Sequence, residues 1–348
     1  MLAVIGLDAP RPEALLLTVV VAVLVAAGMT AALTPAVIAL AMRAGAIAQP
    51  TERGVHTKPT PTWGGLAVVA GVAAAVLAVA GTLPATTRSV VYAILGGGVL
   101  IAIVGAVDDR FKLRPLAKLA GQVGVAMLLP LWGVRIDAVT NPFPAGHPLL
   151  NSLTPLGVTY NPDFIFLGAG VSAAVTVFWV VLVMNAMNLL DGLDGLAAGA
   201  GAIFASGFVY LALSRSGAGA AAVLSGALAG ACVGFLPYNF SPARVFMGDL
   251  GSMFLGYWIA TSSILGGFKT ATAFALVVPF IVLLLPLLDA TFAVVRRLIR
   301  RRPIFSADRG HVHHRLLGLG WSQRGTVLFL YLVCGVCTVL AALVARLG

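Results

Sequence analysis

Phe164-Ile-Phe-Leu-Gly-Ala-Gly-Val-Ser-Ala-Ala-Val-Thr-Val-Phe-Trp-Val-Val-Leu-Val-Met-Asn-Ala-Met-Asn188-Leu-Leu-Asp191-Gly-Leu-Asp194-Gly195 decides the fold. Its first part is an apolar run, and about 20 apolar residues cross a bilayer as a helix. The run is too long and too apolar for a barrel strand, so its backbone must satisfy itself within a helix. Its end is polar and acidic, with no Lys or Arg to pair the carboxylates. Unpaired acids at a membrane boundary are costly and mark function. A helix continued through this end would set Asn188, Asp191 and Asp194 along one face. Gly192 and Gly195 would let backbone approach a ligand closely.

The same pattern repeats along the chain. Ten apolar runs stand out, at 14–41, 64–83, 88–107, 116–134, 164–187, 196–213, 219–237, 251–267, 271–294 and 326–346. The 348 residues are 60% hydrophobic and 10% charged, and mean hydropathy is +1.02. Soluble domains carry about 25% charged residues. The expected fold is therefore all-α: one polytopic membrane domain over residues 1–348, with about ten spans. Gly195/Gly199 and Gly226/Gly230/Gly234 have the small-xxx-small spacing that lets helices pack closely in a membrane.

Net charge is +10. In a soluble protein that would suggest nucleic acid; here it orients spans, and no nucleic-acid partner is expected. Sixteen Lys and Arg fall in 42–63, 108–118, 188–195, 238–250 and 295–325, against six in the remaining segments. The first set is thereby cytoplasmic and both termini are outside. Asp108, Asp109, Asp191, Asp194 and Asp249 all fall on that cytoplasmic side, although they were not used to orient the chain. Cys232, Cys334 and Cys337 sit in apolar runs without the four ligands of a structural zinc site. The N-terminal apolar run is too long for a cleaved signal and reads as a span.

Other segments supply chemistry beside the opening one. Val-His-Thr-Lys58-Pro-Thr60-Pro-Thr62-Trp-Gly-Gly (55–65) is kept extended by its prolines and offers one positive charge and hydroxyls. A snorkelling Lys at a membrane entry would look the same. Gly-Ala-Val-Asp108-Asp109-Arg (105–110) sets two carboxylates side by side, an arrangement that favours a cation or a shared proton. Lys112 and Lys118 follow, and a solvated loop of ordinary ion pairs is the plainer reading. Phe246-Met-Gly-Asp249-Leu-Gly-Ser252 opens a span, where Asp249 could cap the helix, hold a hard cation, or do both. Finally Arg309-Gly-His311-Val-His313-His314-Arg315 follows an arginine cluster suited to anionic lipid. With carboxylates elsewhere suggesting magnesium, its side chains serve best as donors to phosphate or sugar oxygens.

In this order, from about His56 to Arg315, these segments resemble the polyprenyl-phosphate N-acetylhexosamine-1-phosphate transferases of glycosyltransferase family 4. The resemblance implies a multi-helix membrane enzyme needing Mg²⁺, with Mn²⁺ as a substitute. It would move a sugar-1-phosphate from a UDP-sugar to a polyprenyl phosphate and release UMP. Phospho-MurNAc-pentapeptide transferases typically read His-His-His-Phe-Glu at the last motif. His311-Val-His313-His314-Arg315 instead looks like the undecaprenyl/decaprenyl-phosphate GlcNAc-1-phosphate branch, which primes cell-envelope glycans at the plasma membrane.

The resemblance also implies residue roles. Asp249 would hold the ion with Asn188 as second ligand. Asp191 and Asp194 would position the uridine or the chain of ligands around it, near Leu189, Asn239 and a stacking Phe246. Arg309, His311, His313 and His314 would hold diphosphate and GlcNAc, and Lys58 and Lys118 would neutralise phosphate. Asp108 would act as base toward the acceptor, oriented by Asp109. A phosphate monoester with a second pKa of about 6 is already largely dianionic at neutral pH, so Asp108 has an organising role as its alternative. A homodimer is compatible with this reading. The competing class is a transporter, but transporters place polar residues at the bilayer midplane in repeated halves. Here they cluster at span ends, with Asp289 as the exception. An inactive lipid-binding homologue is countered by the complete acid set.

Overall fold

The computed structural model of the chain describes residues 12–49, 58–141, 154–161, 164–214, 217–266 and 316–347, with scattered positions between 284 and 299. Long helices dominate: α1 (Pro12–Arg43), α2 (Gly65–Val79), α3 (Ala85–Phe111) and the short α4 (Pro115–Ala126) and α5 (Leu128–Leu131). They are followed by α6 (Ala169–Leu190), α7 (Leu196–Leu213), α8 (Gly219–Asn239), α9 (Gly248–Leu265) and α10 (Gln323–Leu347). Among the described residues seven helices are long and apolar enough to cross a membrane. They are α1, α2 with its 3₁₀ extension, α3, α6, α7, α8 and α10. The apolar run 271–294 lies largely outside the described residues.

The run 116–134 is not one helix. α4 gives way at Met127 to the single turn α5, and Pro130 inside that turn cannot donate to the helical ladder. The pair makes a shorter apolar rod, Pro115–Leu131. The run 251–267 forms α9, which is absent from the seven although every residue from Leu250 to Ile264 is buried. A helix covered by protein on all sides can carry Asp249, Ser252, Thr261, Ser262 and Ser263 without exposing them to lipid. α2, α3, α6 and α8 pack around it, with the Trp258 and Phe254 rings tilted against each other at 5.2 Å inside the core.

The glycine stripe of α8 packs as its spacing requires. Gly226, Gly230 and Gly234 lie against Val19, Val23 and Ala27, one turn apart on α1, and any Cβ there would meet the α1 backbone or side chains. α2 and α9 cross still more closely, with Gly65 against Gly251.

The segment 135–163, between two apolar runs, holds local structure. Its described residues form strands β1 (Ala138–Thr140) and β2 (Thr159–Tyr160). β3 (Phe164–Phe166) lies between them in an antiparallel sheet, with Ala138 opposite Phe166 and Tyr160 opposite Ile165. The run beginning at 164 therefore starts as a strand, and the helix begins only at Ala169. Alternation explains it: Ile165 is buried while Phe164 and Phe166 point away from it.

Candidate active site

The ends of α3 and α6 and the starts of α4 and α9 meet at the acids. Asp108 closes α3: its own carbonyl accepts from Lys112 N at 2.8 Å and its Oδ1 from Leu113 N at 2.8 Å. Lys112 takes a left-handed φ of 51°, which turns the chain into α4 with Pro115 at its first turn. That reversal brings Lys118, one turn into α4, back over Asp108.

The Lys118 ammonium is the centre of the site. Its Nζ lies 2.9 Å from Asp108 Oδ2, 2.8 Å from Asp249 Oδ2 and 3.1 Å from Asn188 Oδ1. Three oxygens from α3, α9 and α6 thus surround one positive charge. Asn188 Nδ2 donates to Asp249 Oδ1 at 2.5 Å and to Ser252 Oγ at 2.8 Å. Below Lys118 on α4, buried Gln122 accepts from Asn185 Nδ2 at 2.8 Å. The pairs Lys118/Gln122 and Asn185/Asn188 therefore face each other across α4 and α6. Four- and three-residue spacings placed them on matching stripes, a signal available in the sequence for Gln122 and Asn185 but not used there.

Asp109 does something the sequence did not suggest. Its Oδ1 accepts from Asp249 N at 2.9 Å and its Oδ2 from Leu250 N at 3.2 Å. A carboxylate from α3 therefore caps the N-terminus of α9, where charge and dipole agree. Asp249 does not cap its own helix and is left facing Lys118. Gly248 permits this: its φ is +74° and a Cβ there would stand 2.6 Å from Asp109 Oδ2.

The opening motif folds differently from a continued helix. α6 stops at Leu190, and a turn runs to Gly195, whose φ is +82°. Only Asn188 stays on the helix, because the two glycines favour the turn over the ladder. Asp194 Oδ2 accepts from Ala243 N at 3.0 Å. Asn239, 2% exposed, accepts from Gly195 N at 3.1 Å and donates to Val245 O at 2.9 Å. Asp194 and Asn239 are thus engaged in tying the 191–195 turn to the 240–247 segment. Leu189 is half-buried.

Asp191 stays free for other work: its carboxylate has no hydrogen bond among the described residues. Desolvation pushes it well above the usual carboxylate range, and the charges of Asp249, Asp109 and Asp194 push the same way.

Phe246 is half-buried and held by backbone on both sides: its N donates to Pro61 O at 2.8 Å and its O accepts from Gly64 N at 2.9 Å. The segment after Lys58 is thereby joined to the Asp249 segment. Lys58 itself is exposed. Arg309, His311, His313, His314 and Asp289 lie outside the described residues.

A hard divalent cation fits this donor set. The three oxygens around Lys118 already surround a positive charge, and two carboxylates with an amide oxygen suit Mg²⁺ coordination that retains water. Among the described residues no three His, Cys, Asp or Glu side chains form a closed metal cage.

The family model described as "Glycosyl transferase family 4" matches residues 91–267, which carry the Asp108, Asn188 and Asp249 segments. The chain is 40% identical over 320 residues to the Bacillus subtilis protein named "Probable undecaprenyl-phosphate N-acetylglucosaminyl 1-phosphate transferase", covering 91% of this chain and 82% of that one. It is 40% identical to the decaprenyl-phosphate N-acetylglucosaminephosphotransferase of Mycobacterium tuberculosis, covering 89% of this chain and 79% of that one. Identity is 36% to the phospho-N-acetylmuramoyl-pentapeptide-transferase of Desulforudis audaxviator, over 81% and 83% of the two chains. With its acids at three meeting helices, and similarity along most of its length, the chain belongs to glycosyl transferase family 4.

Proposed function

We propose that the protein transfers GlcNAc-1-phosphate from UDP-GlcNAc to a polyprenyl phosphate, giving polyprenyl-diphosphate-GlcNAc and UMP, and so starts a cell-envelope glycan. The observation that carries this reading is the convergence of Asp108, Asp249 and Asn188 on one positive charge. Two anions must meet in this reaction, and a cation among oxygens is what the encounter needs. The relatives named for GlcNAc transfer to undecaprenyl or decaprenyl phosphate favour this donor and acceptor.

Asp249 and Asn188 would hold the Mg²⁺, with Asp108 beside them. When bound, the ion neutralises the diphosphate and stabilises charge on the transferring phosphoryl group. Asp109 sets Asp249 in place by fixing the α9 terminus. An acceptor phosphate oxygen attacks the β-phosphorus of the donor, and the bond to the α-phosphate's bridging oxygen breaks to release UMP. Asp108 is held by Lys118 and Leu113 N, which suits an organising role better than free proton exchange. Lys118 then supplies positive charge to phosphate. Asp191 and Phe246 serve the uridine, with Asp194, Asn239 and Leu189 shaping the same turn. Lys58, Arg309, His311, His313 and His314 serve phosphate and sugar.

The site lies at the cytoplasmic face of the plasma membrane, by the sixteen-to-six distribution of Lys and Arg. Residues 1–348 form one domain of about ten spans with both termini outside.

UMP release from purified protein tests it. UMP formed from UDP-GlcNAc only with polyprenyl phosphate and Mg²⁺ is the expected result. UMP from UDP-MurNAc-pentapeptide alone would reassign the donor, and no UMP from any UDP-sugar in folded protein would overturn the reading.

A further inference from the structure

The last helix, α10, lies beyond the residues that the family model matches, yet it reaches the site. Tyr331 Oη donates to Gly195 O at 2.6 Å. The same carbonyl accepts from Gly199 N at 2.9 Å, as the first bond of α7. Gly199 has no side chain where the Tyr331 ring sits, and a Cβ there would collide with that ring. Two further bonds join α10 to the segment after α8: Arg324 Nε donates to Ser241 O at 2.9 Å, and Ser241 Oγ lies 3.2 Å from Gln323 Oε1. Gly195 is also the residue whose N–H is held by Asn239. Both ends of this left-handed glycine are therefore fixed, one by α8 and one by α10.

We propose that Tyr331 is a positioning residue for the UDP-sugar: through the Gly195 carbonyl it locks the 191–195 turn and so the placement of Asp191 and Asp194. The inference rests on the reading that this turn receives the uridine. The phenol touches no reacting group. Its place, on a helix remote in sequence from the acids, lets the last span set donor affinity without entering the chemistry. Lipid-acceptor binding does not pass through this contact.

Tyr331→Phe is the test, because it keeps the ring in the Gly199 notch and removes one hydrogen bond. A hydrogen bond is worth about 0.5–1.5 kcal/mol net, so KM for UDP-GlcNAc should rise by about two- to tenfold. KM for polyprenyl phosphate, kcat and Tm in detergent should stay near wild type. Thr338→Ala serves as a control, since Thr338 packs on Gly207 farther along the same helices. It should lower Tm and leave KM for the donor unchanged. An unchanged donor KM in Tyr331→Phe would overturn the proposal. So would equal rises for donor and acceptor, or a fall in Tm and kcat without a change in KM. Absence of UMP release by the wild-type protein would instead remove the functional reading on which the proposal stands, and a binding titration with UMP would then show no Tyr331 effect.

Discussion

At the scale of single residues, Lys118 and Asp191 carry opposite lessons. Lys118 draws three oxygens onto itself, so charge is matched where the ligands must bind. Asp249→Ala removes one of those oxygens, and turnover should fall by more than about a hundredfold, with Mn²⁺ binding lost in an electron-paramagnetic titration. Residual activity with normal Mn²⁺ binding would assign the ion elsewhere. Asp191 is a carboxylate in surroundings that disfavour its charge. Its raised pKa means that the folded protein keeps a proton the unfolded chain has already lost above pH ~4. Stability of the ligand-free protein therefore declines as pH rises through that window. Asp191→Asn removes the decline: its Tm should exceed wild type at pH 8, with the advantage shrinking at pH 5. An equal difference at both pH values would show that the carboxyl's charge is not responsible. The acids that meet at the candidate site were legible in sequence because carboxylates stand out in an apolar chain. What each touches was not. Asp109 as the cap of a distant helix, and Asp194 and Asn239 as ties between two segments, depend on pairings more than 40 positions apart.

At the scale of elements, α9 is the piece on which the site depends. Its N-terminus is held by Asp109 and its start by Gly248 in a left-handed conformation. Gly248→Ala meets both a positive φ and the Asp109 carboxylate, and should cost about 1–3 kcal/mol in stability. Activity should fall further than folding does, because Asp249 moves with the helix terminus. A variant with full activity and unchanged Tm would refute that coupling. Helix boundaries were readable where Pro or Gly opens a run, as at Pro115 and Gly195. They were misread where an apolar run changes period, as at Phe164–Phe166, since hydrophobicity alone does not separate a short strand from a helix. The break of 116–134 at Met127 was likewise invisible to a count of apolar residues.

At the scale of the whole molecule, membrane and family agree. Apolar helices expose Leu16, Leu24, Leu100 and Leu332 on outer faces, while polar side chains gather at helix ends around Lys118. The basic excess predicts the side on which those ends lie. Single cysteines placed at Arg110 and at Thr86, in an otherwise cysteine-free protein in sealed right-side-out vesicles, should differ: only position 86 should react with an impermeant maleimide. The reverse labelling would invert the topology and place the acids outside. Whether the acids around Lys118 serve transfer of a phosphosugar rather than a bare sugar is read from the fate of the β-phosphorus. UDP-GlcNAc carrying ³²P in that phosphate should deliver its label to the organic phase with polyprenyl phosphate and Mg²⁺, leaving unlabelled UMP, and Asp249→Ala should abolish the transfer. Label retained in water as UDP, with GlcNAc alone on the lipid, would rule out phosphosugar transfer.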